Sequence, residues 1–345
     1  MKCINKFIKK RISVVLVIVM LVTFCLGGCG FTEVTLSYSE LSDKPAFLTT
    51  TVEEEDEFVH ALAENYCVSV TDVAIDGIDT QMINGAGLFD LKRGQVLFGS
   101  RLYEHFYPAS ITKVLTAYIV LKDVEEGKLA MDTPVPIGPN TVINESGVAA
   151  CAFNQGDAVT VEQALYVMML RSDNGTAIAL AELVSGSVEA FAERMNAEAA
   201  AIGATSSHFV NPNGLTNAEH YSTIYDLYLL LTKAMENTTF AQIFQTKEYE
   251  TTVTDKDGVP RTVSCTATNR YARGLENVPE GVMFLGGKTG TTKAAGNCLI
   301  IYTMNEAGDS YICVVLGAQD QDTLYLKMGE LLGQTVVVSR AAVAD

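Results

Sequence analysis

Ser110 and Lys113 are three residues apart, a spacing that on a helix puts both side chains on one face, a turn from each other. A serine hydroxyl is a poor nucleophile until a neighbouring base takes its proton, and an amine can be that base if it is held uncharged. Partial burial and a second ammonium nearby both push a lysine towards neutrality, and Lys288 can supply that second charge. Two further clusters stand beside this pair. Ser172-Asp173-Asn174 precedes an apolar stretch with helical period, and Gly286-Gly287-Lys288-Thr289-Gly290-Thr291 combines glycines, a cation and hydroxyls. Taken singly each has an ordinary explanation, since Ser, Asp and Asn favour helix starts. The third is not a phosphate loop, because that pattern needs glycine where the chain has Val282, and a strand rather than a helix follows.

Composition narrows the chemistry. The four histidines are His60, His105, His208 and His220, and none sits at metal-ligand spacing, so neither a zinc site nor any other metal or cofactor is implied. No motif pairs His105 with Ser110. The formal net charge of −17 argues against nucleic acid as a partner, which would need a basic face. An anionic substrate must be held by a few local cations; Lys288 with Thr289 suits a carboxylate, and Arg270 is a candidate second cation, a surface ion pair being the alternative. Gly290 lets an edge strand approach a substrate closely.

Ser-x-x-Lys, then Ser-x-Asn 62 residues later, then Lys-Thr-Gly, in that order, resemble the three active-site motifs of the penicillin-recognising serine enzymes. Within that superfamily the chain is most similar to the serine-type D-alanyl-D-alanine carboxypeptidases, the low-molecular-weight penicillin-binding proteins. The wider match includes Phe209, Asn211-Pro212, Gly214-Leu215, His220, Ser222-Thr223, Asp226, Asn269-Arg270 and Ala295-Gly296, within roughly residues 60–335. Asn213 departs from it, standing where histidine is expected, outside the three motifs. The resemblance implies a β-lactamase/DD-peptidase-like fold. It also implies that Ser110, Lys113 and Ser172 are catalytic, and that Asn174, Lys288, Thr289, Gly290, Thr291 and Arg270 bind substrate. Ser172 would relay a proton to the leaving amine, Asn174 would orient Lys113 and hold the substrate amide, and the N–H groups of Ser110 and Thr291 would form an oxyanion hole. The implied partners are a peptidoglycan stem peptide ending in D-Ala-D-Ala and β-lactams as covalent inhibitors. A β-lactamase shares the motifs, but no Glu-x-x-Leu-Asn lies between Asn174 and Lys288 to supply a deacylation base. A binding or sensor module that keeps the fold without catalysis would be expected to have lost the serine or a lysine. His220 and Asp226 read as structural, and Asn211–Leu215 as support for the site.

The elements that must position these residues are legible in the apolar period. A hairpin is expected at Gly87–Asp90 and Gln95–Phe98, and a helix from Ser110 to about Gly127. Further helices are expected at Val161–Leu170, Gly175–Val184, Val188–Ala201 and Ile224–Met235, then paired strands at Asn297–Thr303 and Tyr311–Leu316 and a helix at Asp322–Leu332. Strands near both ends with helices between them predict an α+β fold. Its antiparallel sheet is completed by the terminal segments, flanked by helices, and carries an inserted, mostly helical subdomain.

The first 28 residues have the make-up of a lipoprotein signal peptide. Lys2, Lys6, Lys9, Lys10 and Arg11 precede an apolar stretch from Ile12 to Leu26, too short to span a bilayer comfortably. Leu26-Gly27-Gly28-Cys29 resembles a lipobox, which implies a lipidated Cys29 and a place on the outer face of the bacterial cell membrane. Residues 29–58, with Glu53-Glu54-Glu55-Asp56-Glu57, read as an acidic, solvated tether, a helix is expected at Phe58–Tyr66, and 59–345 read as the catalytic domain. The 55 residues after Gly290 suffice for a hairpin and a helix, so no C-terminal β-domain is expected. The irregularly spaced cysteines predict no disulfide framework.

Overall fold

A computed structural model describes residues 66–143, 149 and 151–344, with side chains in the last helix as far as Val336. The expected signal, Cys29, the tether and all but the last residue of the helix at Phe58–Tyr66 lie outside the described residues.

The apolar runs at the two ends of the chain build one five-stranded antiparallel sheet. Its strands are β1 (Gly85–Asp90), β2 (Gln95–Ser100), β7 (Val282–Thr292), β8 (Gly296–Asn305) and β9 (Ser310–Ala318), in the order β2-β1-β9-β8-β7. Within β9, Tyr311, Cys313 and Val315 join one buried cluster while Ile312, Val314 and Leu316 join another. That alternation is the two-residue period of a strand, and an unbroken apolar run is what a strand buried on both faces requires. One face is covered by α7 (Gln321–Ala344), whose Leu324, Met328, Leu331 and Leu332 pack with Leu88, Leu299 and Ile301. The other face meets the helices inserted between β2 and β7. These are α1 (Lys113–Glu125), α2 (Val161–Arg171), α3 (Asn174–Ser185), α4 (Val188–Ile202), α5 (Ile224–Met235) and α6 (Thr238–Gln245). The helix α1 is buried at every position from Lys113 to Leu121, so it is the axis about which the others pack.

Most helices stop and start where the expected signals place them. Thr160 caps α2 with a reciprocal Gln163 box, Ser187 caps α4, Thr223 caps α5 and Asn237 caps α6. Three differences from the sequence expectations stand out. The segment Ala109–Thr112 is a 3-10 turn that leads into α1 rather than the first turn of the α-helix itself. The last helix runs to Ala344, well beyond Leu332. A second antiparallel sheet, β3 (Pro134–Pro136), β4 (Ala158–Thr160), β5 (Glu248–Thr254) and β6 (Pro260–Thr266), stands on the helical subdomain in that order and has no counterpart among the expected elements. Cys67, Cys151, Cys265, Cys298 and Cys313 are all free thiols.

Candidate active site

Ser110 lies in the 3-10 turn at the mouth of α1 and makes no capping hydrogen bond, so its hydroxyl is free for another use. The preceding Ala109 is held at φ 47°, a left-handed conformation that an alanine adopts only under constraint from its surroundings. One turn on, Lys113 is wholly buried. Its Nζ donates to Ser110 Oγ at 2.9 Å, to Asn174 Oδ1 at 2.8 Å and to the Asn213 carbonyl at 2.6 Å. All three acceptors are uncharged, and among the described residues no carboxylate is in contact with the amine, the nearby Asp173 only weakly raising its affinity for a proton. Burial, and secondarily the charge of Lys288, hold the Lys113 amine well below its ordinary value of 10.5. An amine so disposed, in contact with a serine oxygen, can accept that serine's proton.

Ser172-Asp173-Asn174 divides its work residue by residue. Asp173 caps α3, accepting from Thr176 N at 2.8 Å, and also accepts from Ala152 N at 2.6 Å. Burial raises the affinity of its carboxyl for a proton. With the cap supplied by the middle residue, its neighbours are released to the site. Ser172 closes α2 at φ 60°, a strained position for a serine, and its Oγ accepts from Lys288 Nζ at 2.8 Å. Lys288 also donates to the Thr289 carbonyl at 2.9 Å, and burial lowers its amine to about 7. Thr289 Oγ1 lies 2.5 Å from Thr268 Oγ1.

Two glycines shape the approach to Ser110. Gly290 lies on β7, the outermost strand of the sheet, and a Cβ there would stand 2.9 Å from Ser110 N and 3.0 Å from the Pro108 carbonyl. Any side chain at 290 would therefore cover the backbone donor beside the nucleophile. On the opposite side Gly214, at φ 85°, lies so close to the Ala109 carbonyl that a Cβ would meet its oxygen at 1.9 Å. The strained peptide before Ser110 is clamped between them.

Ser110, Ser172, Asn174, Thr289, Gly290 and Thr291 line one cleft of about 280 Å³, with Lys113 and Lys288 buried behind its wall. Arg270 is not part of that wall. Its guanidinium pairs with Asp322 at 2.8 Å and lies 5.1 Å over the Tyr325 ring, so of its two readings the structure carries the ion pair. The lining includes five residues that the sequence motifs do not single out, Ala149, Arg171, Thr268, Thr292 and Gln321. Asn213 contributes its carbonyl to Lys113 while its side chain accepts from Leu215 N, which is why a departure in side-chain type leaves this contact in place. His220 is buried, receives Val210 N–H on Nδ1 at 3.2 Å and lies 2.9 Å through Nε2 from Thr112 Oγ1. Burial lowers it to about 4, so it is neutral and serves the scaffold. Asp226 likewise accepts from Ser206 N and Ser207 Oγ, away from the cleft.

A profile of the family described as D-alanyl-D-alanine carboxypeptidase matches residues 80–320. The Bacillus subtilis D-alanyl-D-alanine carboxypeptidase DacF is 30% identical over 234 residues, 68% of this chain and 57% of that relative, so the chain spans a little over half of its length. A Streptomyces D-alanyl-D-alanine carboxypeptidase is 33% identical over 219 residues, 61% of this chain and 72% of the relative. Among solved structures, a Streptomyces DD-transpeptidase superposes with a TM-score of 0.66 at 28% identity, covering 76% of this chain and 98% of that one.

Proposed function

The chain belongs to the D-alanyl-D-alanine carboxypeptidase family, and from that premise we propose that it removes the terminal D-alanine of peptidoglycan stem peptides through an acyl-enzyme on Ser110. The observation that carries the reading is the contact of Ser110 Oγ with a buried lysine that, among the described residues, has no carboxylate in contact with it. Neutral Lys113 takes the hydroxyl proton as Oγ attacks the carbonyl carbon between the two D-alanines. The oxyanion so formed is held by the N–H groups of Ser110 and Thr291, an interaction worth ~2.7–4 kcal/mol per donor. Collapse of the tetrahedral species breaks the C–N bond. Ser172 passes its proton to the departing nitrogen and regains one from the lysine side, completing the relay from Lys113. Water then attacks the ester, with Lys113 again receiving a proton, and Ser110 is restored as the peptide acid leaves.

Lys288 and Thr289 suit the terminal carboxylate, and Asn174 suits the amide on the acyl side. A β-lactam would acylate the same serine, but its leaving nitrogen stays tethered to the acyl group, so the ester persists. Lipidation at Cys29 would hold residues 59–345 on the outer face of the cell membrane, where the stem peptides lie; the Leu26–Cys29 lipobox after a basic and apolar segment supports this.

Release of D-alanine from diacyl-Lys-D-Ala-D-Ala, measured by mass spectrometry with and without penicillin, tests the reading. Wild type should release it and Ser110→Ala should not. Absence of release by wild type, or undiminished release by the variant, would sink the proposal. A β-lactamase is the rival, and rapid repeated turnover of a chromogenic cephalosporin would favour it.

A further inference from the structure

The proposed reaction calls for a cation within reach of the terminal carboxylate, and Lys288 is wholly buried behind Ser172 and Thr289. Arg171 is different, being exposed and on the cleft wall. Its neighbours along the chain fix which end of the cleft it occupies. Ser172 accepts from Lys288 Nζ at 2.8 Å, and the Leu170 carbonyl accepts from Thr268 N at 3.2 Å. Thr268 Oγ1 in turn lies 2.5 Å from Thr289 Oγ1. Arg171 is therefore bracketed by the two contacts that define the lysine–threonine end.

A basic residue in the last turn of a helix is often there for the helix carbonyls alone. Two observations favour a further use. Among the described residues Arg171 forms no ion pair, in a chain whose net charge is −17 and in which Arg93, Arg101, Arg194, Arg261 and Arg270 each do; Arg273 also forms none, but it does not line the cleft. The arginine that the motif pattern offered for a carboxylate, Arg270, is occupied by Asp322 and Tyr325 outside the cleft. A guanidinium presents paired donors that match a carboxylate, which an ammonium does not.

We propose that Arg171, and not Arg270, is the second cation for the substrate's terminal carboxylate in this chain, a specificity-determining contact that rests on the functional reading above. The test compares wild type, Arg171→Gln and Arg270→Gln on diacyl-Lys-D-Ala-D-Ala and on the same peptide ending in a carboxamide. For Arg171→Gln the acid-to-amide ratio of kcat/KM should fall about tenfold, the scale of one modest charge-assisted contact. The loss should appear in KM for the acid with kcat little changed, while the amide is processed as by wild type. Arg270→Gln should leave the ratio where it is. An unchanged ratio in Arg171→Gln, equal slowing of both peptides by that variant, or a collapsed ratio in Arg270→Gln would overturn the inference. Failure of wild type to release D-alanine at all would instead overturn the functional reading, and this inference with it.

Discussion

Two places in the molecule handle buried charge in opposite ways. At the turn between β1 and β2, the buried carboxylates of Asp90 and Asp309 are met by cations. Arg93 reaches Asp90 at 2.7 Å and Asp309 at 3.0 Å, and Lys92 reaches Asp309 at 2.5 Å, pinning this turn to the one between β8 and β9. In the cleft, Lys113 and Lys288 are both wholly buried, and every oxygen they contact is a hydroxyl, an amide or a carbonyl. Among the described residues the chain thus pairs buried charge where it serves cohesion and leaves it without a contacting counter-ion where it serves chemistry. Removing two ammonium groups from water without counter-ions is costly, and the system responds by shedding protons. Perturbed amines in a cleft beside a serine are the expected mark of a catalytic site.

The largest effect expected from breaking this contrast is at Lys113. Lys113→Met should slow acylation of Ser110 by penicillin about 10²–10⁴-fold, the usual worth of a general base. It should lower the melting temperature only modestly near pH 7, because the amine it removes is uncharged and what is lost is hydrogen bonds to uncharged acceptors rather than an ion pair. A deep fall in melting temperature would show that the lysine is held for stability. Gly290→Ala comes next. Its Cβ would stand 2.9 Å from Ser110 N, and a loss of about 10²-fold in kcat is expected with KM less affected. Wild-type kcat would show that this donor is not used.

A smaller effect belongs to pH. Lys288 must be charged to hold a carboxylate, and its amine in the free protein is lowered to about 7. The kcat/KM profile should therefore fall as pH rises through about 7. The corresponding limb in kcat should move to higher pH, because bound carboxylate favours the ammonium. Coincident alkaline limbs in the two profiles would contradict that role for Lys288.

The smallest effect is at the paired turn. Lys92 and then Arg93 hold the Asp309 carboxyl below its ordinary value of 3.8. A lowered folded value adds stability above the unfolded value, and that stability is lost as pH falls through the folded one. Asp309→Asn should cost about 1–2 kcal/mol near neutrality, leave kcat unchanged, and converge on wild type in melting temperature as the pH drops below 3.8. A difference that persists in acid would mean that the ion pairs are not its source.

What the sequence made legible follows the same division. Regular period and punctuation were enough for the helices from Val161 to Met235 and for the apolar strands at both ends, because burial on fixed faces leaves its mark on residue type. The second sheet was not legible. Its β3 and β4 are three residues each, and β5 and β6 are rich in exposed threonine and charge; Asp257-Gly258 between them is the hairpin signal that went unused. In the site, motif order was enough to nominate Ser110, Lys113, Ser172, Asn174 and Lys288. Asn213 could not be found from its type, since it acts through a backbone carbonyl. Arg171 stands between the expected helix Val161–Leu170 and the Ser172 motif, and a cation at a helix C-terminus needs no further reason. Arg270 was nominated by its neighbours in sequence, and its side chain is directed by Asp322 and Tyr325, which lie far along the chain.

The central claim is that Ser110 is acylated with neutral Lys113 as base, and the rate of penicillin acylation as a function of pH tests it most directly. Intact-protein and peptide mass spectrometry should find one adduct, on Ser110, absent in Ser110→Ala. The acylation rate should rise with pH through a limb well below 10.5, the ordinary value for a lysine, and that limb should be missing in Lys113→Met. An adduct on another residue, or a limb that survives in Lys113→Met, would contradict the account.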